Sequence, residues 1–120
     1  MTGPVPPYRT FDGAALLDKF GGDEAFVRGL FDVVVRTGRS WPADLREACA
    51  RSDLAGLAAL AHKVKGTAGD LVAIELQARA RDAELAARAG DPAAVGLGLS
   101  LADEFETLLE EIRTAFTGAG

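Results

Sequence analysis

The sequence predicts an all-α protein, an antiparallel up-down-up-down four-helix bundle with a short extra N-terminal helix. Three observations carry this. Apolar residues recur at spacings that alternate three and four, as in Leu54, Leu57, Ala61, Val64, Ala68 and Leu71. Such a pattern marks a helix with one buried side. Alanine, leucine, glutamate and arginine dominate, all good helix formers, and no stretch alternates with period two. The connections are short, and short links join antiparallel neighbours. A chain of 120 residues, 48% of them hydrophobic, is one domain with enough apolar surface for a packed core.

Residues 1–10 contain Pro4, Pro6 and Pro7 and read as an extended lead-in, with Tyr8 and Phe11 resting on the bundle. The domain proper spans 11–117, and 118–120 are a frayed tail. Asp12 caps a short helix through Phe20, with Leu16, Leu17 and Phe20 turned inward, and Gly21-Gly22 ends it. Asp23 opens a long second helix whose apolar stripe is Phe26, Leu30, Val33, Val34, Trp41, Leu45 and Ala48. Pro42 interrupts it, so a kink near Gly38 to Trp41 or two abutting helices is expected. Arg51-Ser52-Asp53 closes that segment and caps the next helix, Leu54 to Gly69. Asp70 is expected to help begin a further helix, Ala73 to Ala89, with a buried stripe of Leu76, Ala80, Ala83 and Ala87. Gly90 ends that helix. Asp91-Pro92 starts the last one, which carries Leu101, Phe105, Leu108, Ile112 and Ala115 and runs to about Phe116.

Charge and composition exclude several classes of function. The net charge is −5 and no basic run exists, which argues against nucleic acid, because neutralising phosphates needs clustered cations. Arg79, Arg81 and Arg88 lie among Asp82 and Glu84 and read as a solvated helix face. Cys49 is the only cysteine, so no internal disulfide forms, and it reads as a small buried hydrophobe. No signal peptide and no apolar run near twenty residues is visible, so a cytoplasmic protein away from membranes is expected. The initial methionine and the tail point to a freestanding chain.

The single histidine, His62, sits in Ala61-His62-Lys63-Val64-Lys65-Gly66-Thr67-Ala68-Gly69. It follows the buried Ala61 by one residue and so turns roughly 100° out of the apolar seam. Lys65 lies one turn on and supplies a neighbouring cation. Gly66 leaves the backbone beside the imidazole bare, Gly69 repeats this further on, and Ala58 and Ala59 keep the other side low. Glycine inside a helix costs stability, so its placement here asks for a reason. Room for a partner's active site to close over the histidine is such a reason. No glycine-rich nucleotide loop or paired general acid and base is visible, so autonomous kinase activity is not expected.

This arrangement resembles the histidine-containing phosphotransfer (HPt) family, whose motif runs His-x-Leu-Lys-Gly followed by small residues. Here it stands as His62-Lys63-Val64-Lys65-Gly66-Thr67-Ala68. Gly21-Gly22-Asp23 before a long helix and the stretch from Ala86 to Asp91 are similar to the family as well. Two departures stand out: Val64 replaces the leucine, and Val72 occupies a position, ten residues after the histidine, where the family often has glycine. The resemblance implies that His62 accepts a phosphoryl group and that Lys65 balances its charge, with Gly66 and Gly69 giving access. It also implies partners: receiver domains of response regulators and a sensor or hybrid histidine kinase. They would dock on the surface of Ala58, Ala59, Lys63 and Asp70. No cofactor is implied for this chain, since the magnesium would belong to the partner's receiver domain. A monomer is expected, because a relay keeps its histidine face open. The alternative is a silent helical scaffold or decoy that binds a signalling partner without chemistry; Val72 favours it and the intact His62, Lys65 and Gly66 oppose it.

Overall fold

The computed structural model describes residues 3–115, and among them are six α-helices and no strand. They are α1 (Gly13–Lys19), α2 (Glu24–Gly38), α3 (Trp41–Ala50), α4 (Leu54–Asp70), α5 (Ile74–Arg88) and α6 (Ala94–Ala115). The expected last turn at Phe116 and Thr117 and the tail at 118–120 lie outside the described residues.

Aspartates set three of the starts. Asp12, Asp23 and Asp53 each accept a hydrogen bond from the backbone N–H three residues on, in Ala15, Phe26 and Gly56. Pro42 falls in the first turn of α3, where its missing N–H would have had no helical partner. The long second segment is therefore two abutting helices, broken at Arg39 and Ser40. The expected stripe of α2 needs correction. Its buried face is Val27, Phe31, Val34 and Gly38, and this continues into Trp41, Leu45 and Ala48 of α3. Phe26 and Val33 are half exposed, and Phe26 packs on Phe20 at 4.7 Å across the α1–α2 turn. Both registers show helical spacing in the sequence; the one that meets Trp41 in phase is buried.

The helix ends repeat one device. At α4, the Val72 N–H reaches the Gly69 carbonyl and the Ala73 N–H reaches that of Ala68. The same pair of bonds closes α3 at Ser52 and Asp53 and α5 at Gly90 and Asp91. The pattern requires a left-handed residue just past the helix, here Ser52 at φ 52°, Val72 at φ 57° and Gly90 at φ 68°. The turn after α4 thus keeps the shape a glycine would give it, with a β-branched residue held in a strained conformation. Asp70 is the last residue of α4 and does not begin α5, whose N-cap is Ala73 without a side-chain bond. The start of α6 also falls later than expected. Asp91 accepts from the Ala93 N–H in a tight turn, and the helix begins at Ala94.

Leu16, Leu45, Leu57, Leu76, Leu101, Phe105 and Leu108 are fully buried and form the core, each worth about 1.5–3 kcal/mol of burial. Trp41 packs on Phe105 at 5.4 Å. Gly98 lets α6 cross closely: a Cβ there would lie 2.7 Å from Cys49 Sγ and from Leu57. α4 packs most extensively on α5, and α3 on α6. In α4 and α5 His62 faces Glu84 while Gly69 faces Gln77, so the two helices run antiparallel. The lead-in is clamped to the last helix. Glu111 accepts from the N–H groups of Arg9 and Thr10 and from Thr10 Oγ1, and Arg9 pairs with Glu104 at 2.9 Å. Phe11 is buried against Phe31.

Candidate functional site

The site is built where α4 and α5 meet. The α5 face toward the core is Leu76, Ala80, Ala83 and Ala87, and α4 offers Ala58, Ala61 and Ala68. Small side chains on both helices bring the backbones close. Close approach lets one carboxylate of α5 reach over to α4. That carboxylate is Glu84, whose side chain is only 7% exposed, whereas His62 is 63% exposed.

Glu84 binds three groups. Its Oε2 meets His62 Nδ1 at 3.0 Å, its Oε1 accepts from Lys65 Nζ at 2.7 Å, and Arg88 donates to Oε2 at 2.8 and 3.0 Å. Lys65 and then Arg88 hold its carboxyl down to about pKa 2, against the opposing effect of burial, with a smaller contribution from His62. The group is ionised throughout the neutral range and can only accept. Nδ1 must therefore carry the proton in this bond. Nε2 is the ring nitrogen that Glu84 does not engage, on a side chain that is mostly exposed. The arrangement fixes the tautomer and orientation of a solvent-facing imidazole, with two cations balancing one buried anion.

The expected site residues fall into three groups. His62 and Lys65 are brought together through Glu84, and Gly66 lies open beside them, with nothing within 4 Å of a Cβ added there. Ala59 and Lys63 are exposed on the outer side of α4, as a docking surface requires. Ala58 and Gly69 need correction. Ala58 is 4% exposed, because it lies on the α5 side of the helix, and has no area to offer a partner. Gly69 lies two turns from His62, and a Cβ there would meet Gln77 Nε2 at 2.6 Å. Its neighbour is α5, not the space over the histidine. Asp70 is exposed at the end of α4, where its carbonyl accepts from Lys19 Nζ at 3.2 Å.

Glu84 and Arg88 are the functional residues that the sequence reading missed by placing them on a solvated face. The signal was present. Glu84 follows Ala80 by four residues, on the edge of an alanine stripe, and Arg88 follows by four more. An acid bordering so small a stripe lies within reach of the facing helix.

The fold and the site define a helical domain presenting one oriented, exposed histidine. The sequence model of the Hpt domain matches residues 32–116, and the chain belongs to that family. Its members are phosphocarriers, not kinases, of two-component signalling. No curated protein and no solved structure matches the chain. No helix among the described residues is long and apolar enough to cross a membrane.

Proposed function

We propose that this chain is a phosphorelay intermediate that accepts a phosphoryl group on Nε2 of His62 from a receiver-domain aspartate, or from a hybrid kinase, and passes it to a response regulator. The observation that carries this reading is the bond from His62 Nδ1 to the ionised Glu84, which leaves Nε2 open. In the forward step the Nε2 lone pair attacks phosphorus, a P–N bond forms, and the P–O bond to the partner's aspartate breaks. The ring keeps its Nδ1 proton and becomes cationic, and Glu84 stabilises that charge as it develops. No proton has to leave, so the P–N bond is ready to break when the next aspartate attacks. Phosphoryl transfer asks a protein mainly for position and charge balance. Glu84 supplies position, and Lys65 and Arg88 offset its negative charge so that the incoming phosphoryl oxygens are not repelled. Gly66 leaves space for the partner's active site.

The composite α2–α3, then α4, α5 and α6, form the up-down-up-down bundle, with α1 as the extra helix. The protein acts as a cytoplasmic monomer with no kinase activity of its own, and any magnesium resides on the receiver partner.

A transfer assay tests the reading. Wild type and His62→Gln are incubated with phosphorylated receiver domains, and label moving onto the 120-residue chain is followed. Acid-labile, alkali-stable label on wild type alone is the expected result. Label on the variant would move the acceptor off His62, and no label from any receiver that binds would make the chain a docking scaffold.

A further inference from the structure

The α5 helix carries three arginines on its outer side, and they differ in their commitments. Arg79 pairs with Glu75 at 3.2 Å and Arg88 with Glu84 at 2.8 Å. Arg81 has no ion pair among the described residues, although it stands one turn from Glu84 and next to Asp82. It lines a shallow groove of about 370 Å³ together with Lys65, Ile74, Gln77 and Ala78. Ile74, at the start of α5, is 72% exposed, the most exposed of the large apolar side chains. Lys65 belongs both to this groove and to the His62–Glu84 network. Lys65 thus joins the groove to the network that holds His62, although His62 itself does not line it.

The contents of the groove specify what would fill it. A guanidinium without a carboxylate, on a chain whose net charge is −5, is an unspent point of attraction for an acidic group. An exposed isoleucine within the same groove calls for an apolar side chain. A solvated arginine alone would be unremarkable on a helix surface. Here the cation, the apolar residue and the lysine shared with the histidine's network converge on one depression.

We propose that Arg81 and Ile74 select the receiver domain that docks on this chain, the arginine meeting a carboxylate of the partner and the isoleucine an apolar side chain beside it. The proposal rests on the phosphorelay reading for the identity of the partner. Arg81 is a specificity residue and touches no reacting atom. Charge contacts at the rim of an interface govern encounter and its salt dependence more than the step that follows. Loss of Arg81 therefore raises KM and leaves kcat.

The test measures binding and transfer separately on the full chain. A panel of receiver domains, each loaded with magnesium and beryllofluoride to mimic the aspartyl phosphate, is titrated with wild type, Arg81→Glu, Arg81→Gln, Ile74→Ser and Arg79→Glu. Circular dichroism checks that each variant is folded. For any receiver that binds wild type, Arg81→Glu is expected to weaken affinity about tenfold at low salt and to flatten the salt dependence. Arg81→Gln and Ile74→Ser fall between, while Arg79→Glu, with the same change of charge, stays near wild type. The transfer rate at saturation stays within about twofold for Arg81→Gln, so the split falls on KM. Unchanged affinity in Arg81→Glu and Ile74→Ser overturns the proposal, as does equal weakening by Arg79→Glu, or a wild type that binds no receiver. Failure of the phosphorelay reading has a different signature: receivers bind, but no His62-dependent label appears.

Discussion

Glu84 decides what His62 can do. Without its carboxylate the imidazole would rotate and exchange tautomers freely on the surface of α4. Glu84→Gln keeps the shape but leaves Lys65 and Arg88 without their counter-charge. We expect transfer to fall by about two orders of magnitude, the low end of the loss on removing a group that stabilises developing charge, measured as the rate of label onto the folded variant. The same residue gives the protein a pH dependence. Its carboxyl lies at about 2 in the folded state, below the usual carboxylate value of 4.5, because Lys65 and Arg88 bind its ionised form. Stability from this group is complete above pH 4.5 and is lost as the pH falls toward 2. The full effect is on the order of 3 kcal/mol. Denaturant unfolding from pH 6 down to pH 2.5 should show that decline in wild type and a weaker one in Glu84→Gln. His62, Lys65 and Gly66 were legible in the sequence because they sit within five residues of one helix. Glu84 left only the fainter signal of its spacing from Ala80, because the distance between two helices that gives it its role is not contained in local spacing.

At the scale of the elements, the site depends on the alanine seam between α4 and α5. Ala83 is fully buried and immediately precedes Glu84. Ala83→Leu inserts three carbons into a space built for one. It is expected to cost about 1–3 kcal/mol or more and to slow transfer beyond what that loss explains, since the carboxylate is carried away from His62. Chemical unfolding and the transfer rate, measured on the same preparation, check both halves. The turn after α4 gives a second prediction. Val72 sits at φ 57°, where a β-branched residue is strained by about 1–2 kcal/mol. Val72→Gly relieves that strain but loses half-buried apolar surface and adds freedom to the unfolded chain. The balance is a stability within about 0.5 kcal/mol of wild type, in contrast to the loss normal for removing an aliphatic side chain. Helix existence and most buried stripes were legible from periodicity. The face of α2 was not, since Phe26, Leu30 and Val33 space as well as Val27, Phe31 and Val34. Only the continuation into α3 separates them.

Across the whole molecule, the lead-in is tied to the last helix. Arg9 and Thr10 tie to Glu111 of α6 through three hydrogen bonds, and Tyr8 stacks on Phe11 at 4.7 Å. Glu111→Ala leaves the two N–H groups and the hydroxyl without their acceptor and is expected to cost about 1–3 kcal/mol in thermal or denaturant unfolding. Tyr8 and Phe11 marked in the sequence where the segment rests, while its backbone turns at residues 3–5 and 6–8. Its clamp on α6 joins residues about a hundred positions apart, which no local pattern reveals. Within this bundle the seam between α4 and α5 lets Glu84 orient the His62 ring. This orientation is tested most directly by long-range proton–nitrogen NMR on the protein labelled with ¹⁵N at His62, before and after phosphorylation by a receiver domain. The expected result is a proton on Nδ1 in the free protein and phosphorus bonded to Nε2 afterwards. A proton on Nε2 in the free form, or phosphorus on Nδ1, would contradict it.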